Sequence, residues 1–272
     1  TIMRSANNNK KLYLGNTKRH IKSVFEENIL SVVEESKGWE LNAHGLNLPG
    51  KEAEEMLHHS GWARNKCLDF VGRTELIDQC LRAIQCPRWG WGQKFGGVSV
   101  AIVGDSGAGK TALLAKLAQL TYENNSNIPV LIRFCGTSGG SRSGFDLMRS
   151  LCFQIIFLYQ RGKIRFSRNR SCGSRDASDD KALSFNAIPK IYKELVKYFH
   201  YLLAHFVCVV YIDSLDQLSN DDMARRNVSF LDGVSPHPDT RIVVSMLPDD
   251  DMDAHASSIT KNVVDVKTTG LV

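Results

Sequence analysis

The chain has 272 residues, of which 43% are hydrophobic and 23% charged, and it carries a net charge of +5. Such a make-up fits a globular protein able to bury one large core or two modest ones, and it argues against disordered, collagenous or membrane-embedded classes. The longest apolar run, residues 199–212, is interrupted by His200 and His205 and falls short of the ~20 residues a bilayer span needs. No leader-like start precedes it, so a cytoplasmic location is expected. The seven cysteines include no pair two to four residues apart, which removes the zinc and redox spacings and leaves reduced core thiols.

In chain order, residues 1–18 are polar and basic and read as a tail. Ile21, Val24, Phe25, Ile29, Val32 and Val33 then recur at helical spacing, and a second helix is expected from about Lys51 to Asn65. Residues 1–66 are thus a helical lead-in, too thin in apolar residues to stand alone. The adjacent His58 and His59 point about 100° apart on a helix, which suits surface histidines better than a metal pair.

From Cys67 onward the pattern becomes short β-branched runs alternating with helices. Expected strands are Gly97–Val103, Pro129–Cys135, Phe206–Ile212, Thr240–Ser245 and Asn262–Val266. They are near-continuous apolar runs, as in strands covered on both faces. Expected helices are Glu75–Ile84, Lys110–Glu123, Phe145–Gln160, Ile188–His205 and Asp221–Leu231. This alternation predicts an α/β fold with a parallel sheet and right-handed crossovers over residues 67–272. Residues 161–180, Ser- and Arg-rich, read as a flexible basic insertion. Six cations fall in residues 1–23 and six in 161–175, without an acid in either run, so the remainder of the chain is mildly acidic. Such runs are solvated tails and loops unless an anionic partner such as nucleic acid is present. Trp89 and Trp91, flanking Gly90 before the first strand, read as packing residues.

The chemistry is concentrated in Gly104-Asp105-Ser106-Gly107-Ala108-Gly109-Lys110-Thr111, a G-x-x-x-x-G-K-[ST] motif between an apolar strand and an Ala/Leu-rich helix. Glycines let the backbone wrap an anion, and successive N–H groups with the helix N-terminus supply positive potential. In that reading Lys110 reaches the β- and γ-phosphates and Thr111 offers its hydroxyl to Mg²⁺. About a hundred residues on, Phe206-Val-Cys-Val-Val-Tyr-Ile212 is an apolar strand ending in Asp213, the carboxylate such a site uses to organise Mg²⁺. Asp216 either polarises the attacking water or caps the helix that follows, and the sequence does not choose. The absence of Asn-Lys-x-Asp after this region favours ATP over GTP.

These motifs together resemble the NACHT group of STAND signalling ATPases, above all NACHT-and-WD-repeat proteins and their telomerase-associated and nephrocystin-like relatives. The likeness spans about residues 55–270. It includes His58-His59, Cys67-Leu-Asp-Phe-Val71-Gly72-Arg73-Thr-Glu75, Ile132-Arg-Phe-Cys-Gly-Thr-Ser138, Leu147-Met-Arg-Ser-Leu-Cys-Phe-Gln-Ile155 and Ile242-Val-Val-Ser-Met-Leu-Pro248. It implies a three-layer P-loop NTPase with a five-stranded parallel sheet ordered 5-1-4-3-2, Asp213 on the third strand, and Val71, Gly72 and Arg73 beside the adenine and ribose. Two departures stand out: Gln217 where NACHT proteins usually carry an acid, and Met246 where many STAND proteins place an Arg. The expectation is a slow ATPase switch, catalytic through Lys110, Asp213 and Asp216, with protein partners bound through flanking winged-helix and repeat regions and self-assembly left open. A non-hydrolysing interaction module and a nucleic-acid-stimulated ATPase are the alternatives.

Overall fold

The computed structural model describes residues 50–68, 70–85, 98–124, 128–167, 182–219, 228, 230–248 and 263–266. The tail, the helix expected from Ile21, the tryptophans Trp89 and Trp91, residues 168–180 of the insertion and most of the helix expected over 221–231 lie outside them.

Among the described residues, five α-helices and five strands follow one another as α1 (Gly50–Leu68), α2 (Thr74–Gln85), β1 (Val100–Val103), α3 (Lys110–Asn124), β2 (Val130–Phe134), α4 (Gly144–Gln160), α5 (Tyr192–His205), β3 (Val209–Asp213), β4 (Arg241–Met246) and β5 (Val263–Asp265). The strands form one sheet in the order β2-β3-β4-β1-β5, and every pairing is parallel. That is the expected 5-1-4-3-2 order read from the other edge. Because side chains alternate across a strand, β1 to β4 each feed two cores. Val100, Ile102, Ile132, Phe134, Tyr211 and Val243 face α2, α3 and the C-terminal half of α1. Ala101, Val103, Leu131, Val210, Ile212 and Val244 face α4 and α5. The result is a three-layer α/β sandwich.

Helix α1 packs as part of this body and runs across position 66. Its buried residues Met56, His59, Ala63 and Cys67 form a stripe at helical spacing, Met56 against Phe153 and Phe157 of α4 and the other three against α3 and the edge strand β2. His59 is therefore wholly buried, not a surface histidine. The expected basic insertion also needs correction at its start: Ile164 is buried in the α4–α5 core. Phe166 stacks on His205 and meets Phe206 edge-on, and the Ser167 N–H donates to the His205 carbonyl at 2.7 Å. Two apolar side chains at i and i+2 outweigh the four basic or polar neighbours around them. Helix α5 begins at Tyr192 rather than Ile188 because Pro189 holds the residue before it extended, with Ile188 at φ −66° and ψ 117°. Phe230 and Leu231, expected to end a helix, lie in a turn. Among the described residues all five cysteines are free and buried, and no helix is long and apolar enough to cross a membrane.

Candidate phosphate-binding site

The loop from Gly104 to Gly109 leaves the C-terminal end of β1 and turns into α3. Gly104 is forced by close approach: a Cβ there would overlap the carbonyl oxygen of Val266, just past β5. Gly107 and Gly109 sit at φ +80° and +83°, a region that side chains strongly disfavour. A turn closes the loop, the Ala108 N–H donating to the Asp105 carbonyl at 3.1 Å. Asp105, Ser106 and Gly107 are exposed at its rim.

Lys110, the first residue of α3, is only 8% exposed. Its ammonium folds back over the loop and donates to the carbonyls of Gly104 (2.6 Å) and Asp105 (2.8 Å). Burial lowers the Lys110 pKa from its ordinary value, while Asp216, Asp213 and Asp105 pull the other way. The next residue reaches across to β3: the Thr111 hydroxyl donates to Asp213 Oδ2 at 2.8 Å. Asp213 is 2% exposed, and burial raises its carboxyl above the usual range against the opposing hydrogen bonds of Ser245, Thr111 and Ser214. The chain turns sharply after it, since Ser214 adopts a left-handed conformation at φ 55°. For a residue with a side chain that costs roughly 1–2 kcal/mol.

Asp216 lies in the short 3-10 turn Leu215–Gln217. The Leu247 N–H donates to its Oδ1 (3.1 Å) and the Gln217 side-chain amide to its Oδ2 (2.6 Å). It therefore ties the end of β4 to the turn after β3, and among the described residues it caps no helix. Met246 proves to be the last residue of β4 and is fully buried, so the position just beyond the strand belongs to Leu247, which is likewise uncharged.

Val71, Gly72 and Arg73 approach the loop from the other side. Arg73, itself at φ 56°, donates through Nη1 to the Ala108 carbonyl at 2.6 Å, and its guanidinium covers the space a Gly109 side chain would need. Val71 is 89% exposed, an apolar side chain on an open surface beside the loop. The sequence-predicted residues are thus gathered into one place: loop, cation, hydroxyl and carboxylate at the C-terminal edge of the sheet, flanked by residues 71–73.

Several polar residues that support this edge were not singled out from the sequence. Ser245 on β4 donates to Asp213 Oδ1 at 2.5 Å. Arg133 on β2 is 1% exposed, and its guanidinium is spread over the Ser150 hydroxyl and carbonyl, the Ile132 carbonyl and Gln154. Each interrupts an otherwise apolar strand run, which was the available signal. At the sheet edge, the Phe134 N–H donates to His59 Nδ1 (3.2 Å), and His59 Nε2–H donates to Glu55 Oε1 (2.8 Å). The Ser138 hydroxyl donates to the same oxygen.

Comparison with protein-family models and with curated proteins returns no match. Among solved structures the chain is similar to Cdc6p from Pyrobaculum aerophilum, with 15% identity and a TM-score of 0.35. The match covers 73% of this chain and 47% of that one, so this chain spans about half of that protein's length. The assignment of the fold rests on the strand order and the loop geometry above.

Proposed function

We propose that the chain is an ATP- and Mg²⁺-binding switch module of the STAND type that hydrolyses its nucleotide slowly. The observation that carries this reading is the Thr111–Asp213 hydrogen bond, which sets a hydroxyl and a carboxylate together at the mouth of a glycine-rich loop. Hydroxyl and carboxylate oxygens are the donors a hard divalent cation prefers, and the loop's N–H groups suit an anion. The residues therefore fit magnesium and a polyphosphate. Thr111 and Asp213 would hold the metal, which when bound neutralises phosphate charge. Lys110 exchanges its two carbonyl acceptors for phosphate oxygens. Val71 offers an apolar surface for the base, and the missing Asn-Lys-x-Asp favours adenine over guanine.

Slow turnover follows from what surrounds the reaction centre. Each Asp216 oxygen already accepts one protein hydrogen bond, leaving capacity to orient a water. Gln217 cannot take a proton from that water near neutral pH. Leu247 provides no charge beyond β4. An arginine finger, where one is used, is worth roughly 10³–10⁵ in kcat. Phosphate release with saturating ATP and Mg²⁺ tests the reading. One ATP bound per chain and turnover well below ~1 s⁻¹ are expected; several turnovers per second would replace the switch with an active motor or transferase.

A further inference from the structure

Asp213 can serve a metal only if one of its oxygens is presented to Thr111 and held there, and the structure shows what holds it. Ser245 lies in the middle layer of the sheet on β4, between β3 and β1, and is fully buried. Its hydroxyl makes two bonds in opposite directions. It donates to Asp213 Oδ1 (2.5 Å), and it accepts from the Ser214 N–H (2.8 Å). The first bond fixes the carboxylate rotamer with Oδ2 toward Thr111, where Ser214 Oγ also donates at 3.0 Å. The second holds the left-handed residue whose turn carries the chain on to Asp216. A hydroxyl is the smallest group that donates and accepts at once, and a buried serine in the run Ile242-Val-Val-Ser-Met246 has no packing reason to be polar.

We propose that Ser245 is a positioning residue for the metal-organising carboxylate: it divides the two oxygens of Asp213 into a structural one and a metal-facing one. This rests on the Mg²⁺-nucleotide reading above. Without the hydroxyl, Oδ1 and the Ser214 N–H both lose a partner, and the carboxylate is free to rotate away from Thr111.

The test is a Mg²⁺ titration of ATP binding by the full chain, with parallel ATP titrations in EDTA. It uses wild type, Ser245→Ala, Asp213→Asn and the double variant. Ser245→Ala should raise the half-saturating Mg²⁺ concentration about tenfold, the usual scale for a group that orients a metal ligand, with EDTA binding unchanged. In the Asp213→Asn background Ser245→Ala should change the Mg²⁺ response no further, because the two substitutions remove the same function. Ser245→Cys, which keeps the shape with a weak donor, should fall between, and it carries the test if the alanine variant does not fold. An unaltered Mg²⁺ response, an equal loss in EDTA, or an additive double variant would overturn the proposal. A wild-type chain indifferent to ATP in both media would instead overturn the nucleotide reading beneath it.

Discussion

The buried histidine at the sheet edge makes the stability of this fold depend on pH in a calculable way. His59 is fully buried, and desolvation holds its pKa down at about 4, against the hydrogen bond it donates to the Glu55 carboxylate, which favours protonation. The ordinary value is 6.5, so between those two pH values the unfolded chain binds a proton that the folded chain refuses. Stability is then full above pH 6.5 and falls as pH drops toward 4. The slope is at most ~1.4 kcal/mol per pH unit and the total on the order of 3 kcal/mol. Glu55 acts lower: burial alone would raise its carboxyl, but the His59 and Ser138 hydrogen bonds prevail and bring it to about 2. Its contribution, present above pH 4.5, fades only below that. Urea unfolding at pH 7.5, 6.0 and 5.0 should therefore show a loss in the wild type that His59→Gln largely lacks. The variant should start lower at pH 7.5, because the Phe134 N–H loses its designed acceptor, a loss of about 1–3 kcal/mol. Equal pH slopes in the two proteins would refute the assignment of the acid sensitivity to His59.

Three further outcomes follow from named contacts. Asp213→Asn should weaken ATP binding in Mg²⁺ and leave binding in EDTA nearly unchanged; equal losses would make the residue structural. Gly104→Ala should lower the melting temperature and loosen β5, since its Cβ meets the Val266 carbonyl, and an unchanged melting temperature would contradict that packing. Ile164→Ala should cost about 2–5 kcal/mol in chemical unfolding, as for a buried core residue; a cost under ~0.5 kcal/mol would return residues 161–167 to a surface loop.

The central architecture was readable because its signals are local. Strand runs of β-branched residues, a glycine-rich loop at a fixed spacing and an aspartate ending an apolar run identify themselves without knowledge of neighbours. The strand order came from the family resemblance, since crossovers are not written in any one segment. What escaped reading depends on which surface meets which. Spacing places His59 in a stripe with Met56, Ala63 and Cys67, but its polarity hides that membership until β2 is seen to offer it an N–H. Likewise Ile164 and Phe166 are too few to outvote a basic composition, yet α4 and α5 leave a place for both. Ser245 and Arg133 were visible as polar breaks in strands, and only the fold shows that one serves Asp213 while the other is tied to α4.

The claim that Gly104 to Thr111 cradles a nucleotide is met most directly by thermal unfolding with and without Mg²⁺-ATP in the wild type and in Lys110→Ala. At ~100 times Kd the nucleotide should add about 2.7 kcal/mol to the wild type and little or nothing to the variant, whose own fold should persist without ligand. The same ATP-induced gain in Lys110→Ala, or none in the wild type, would contradict the account.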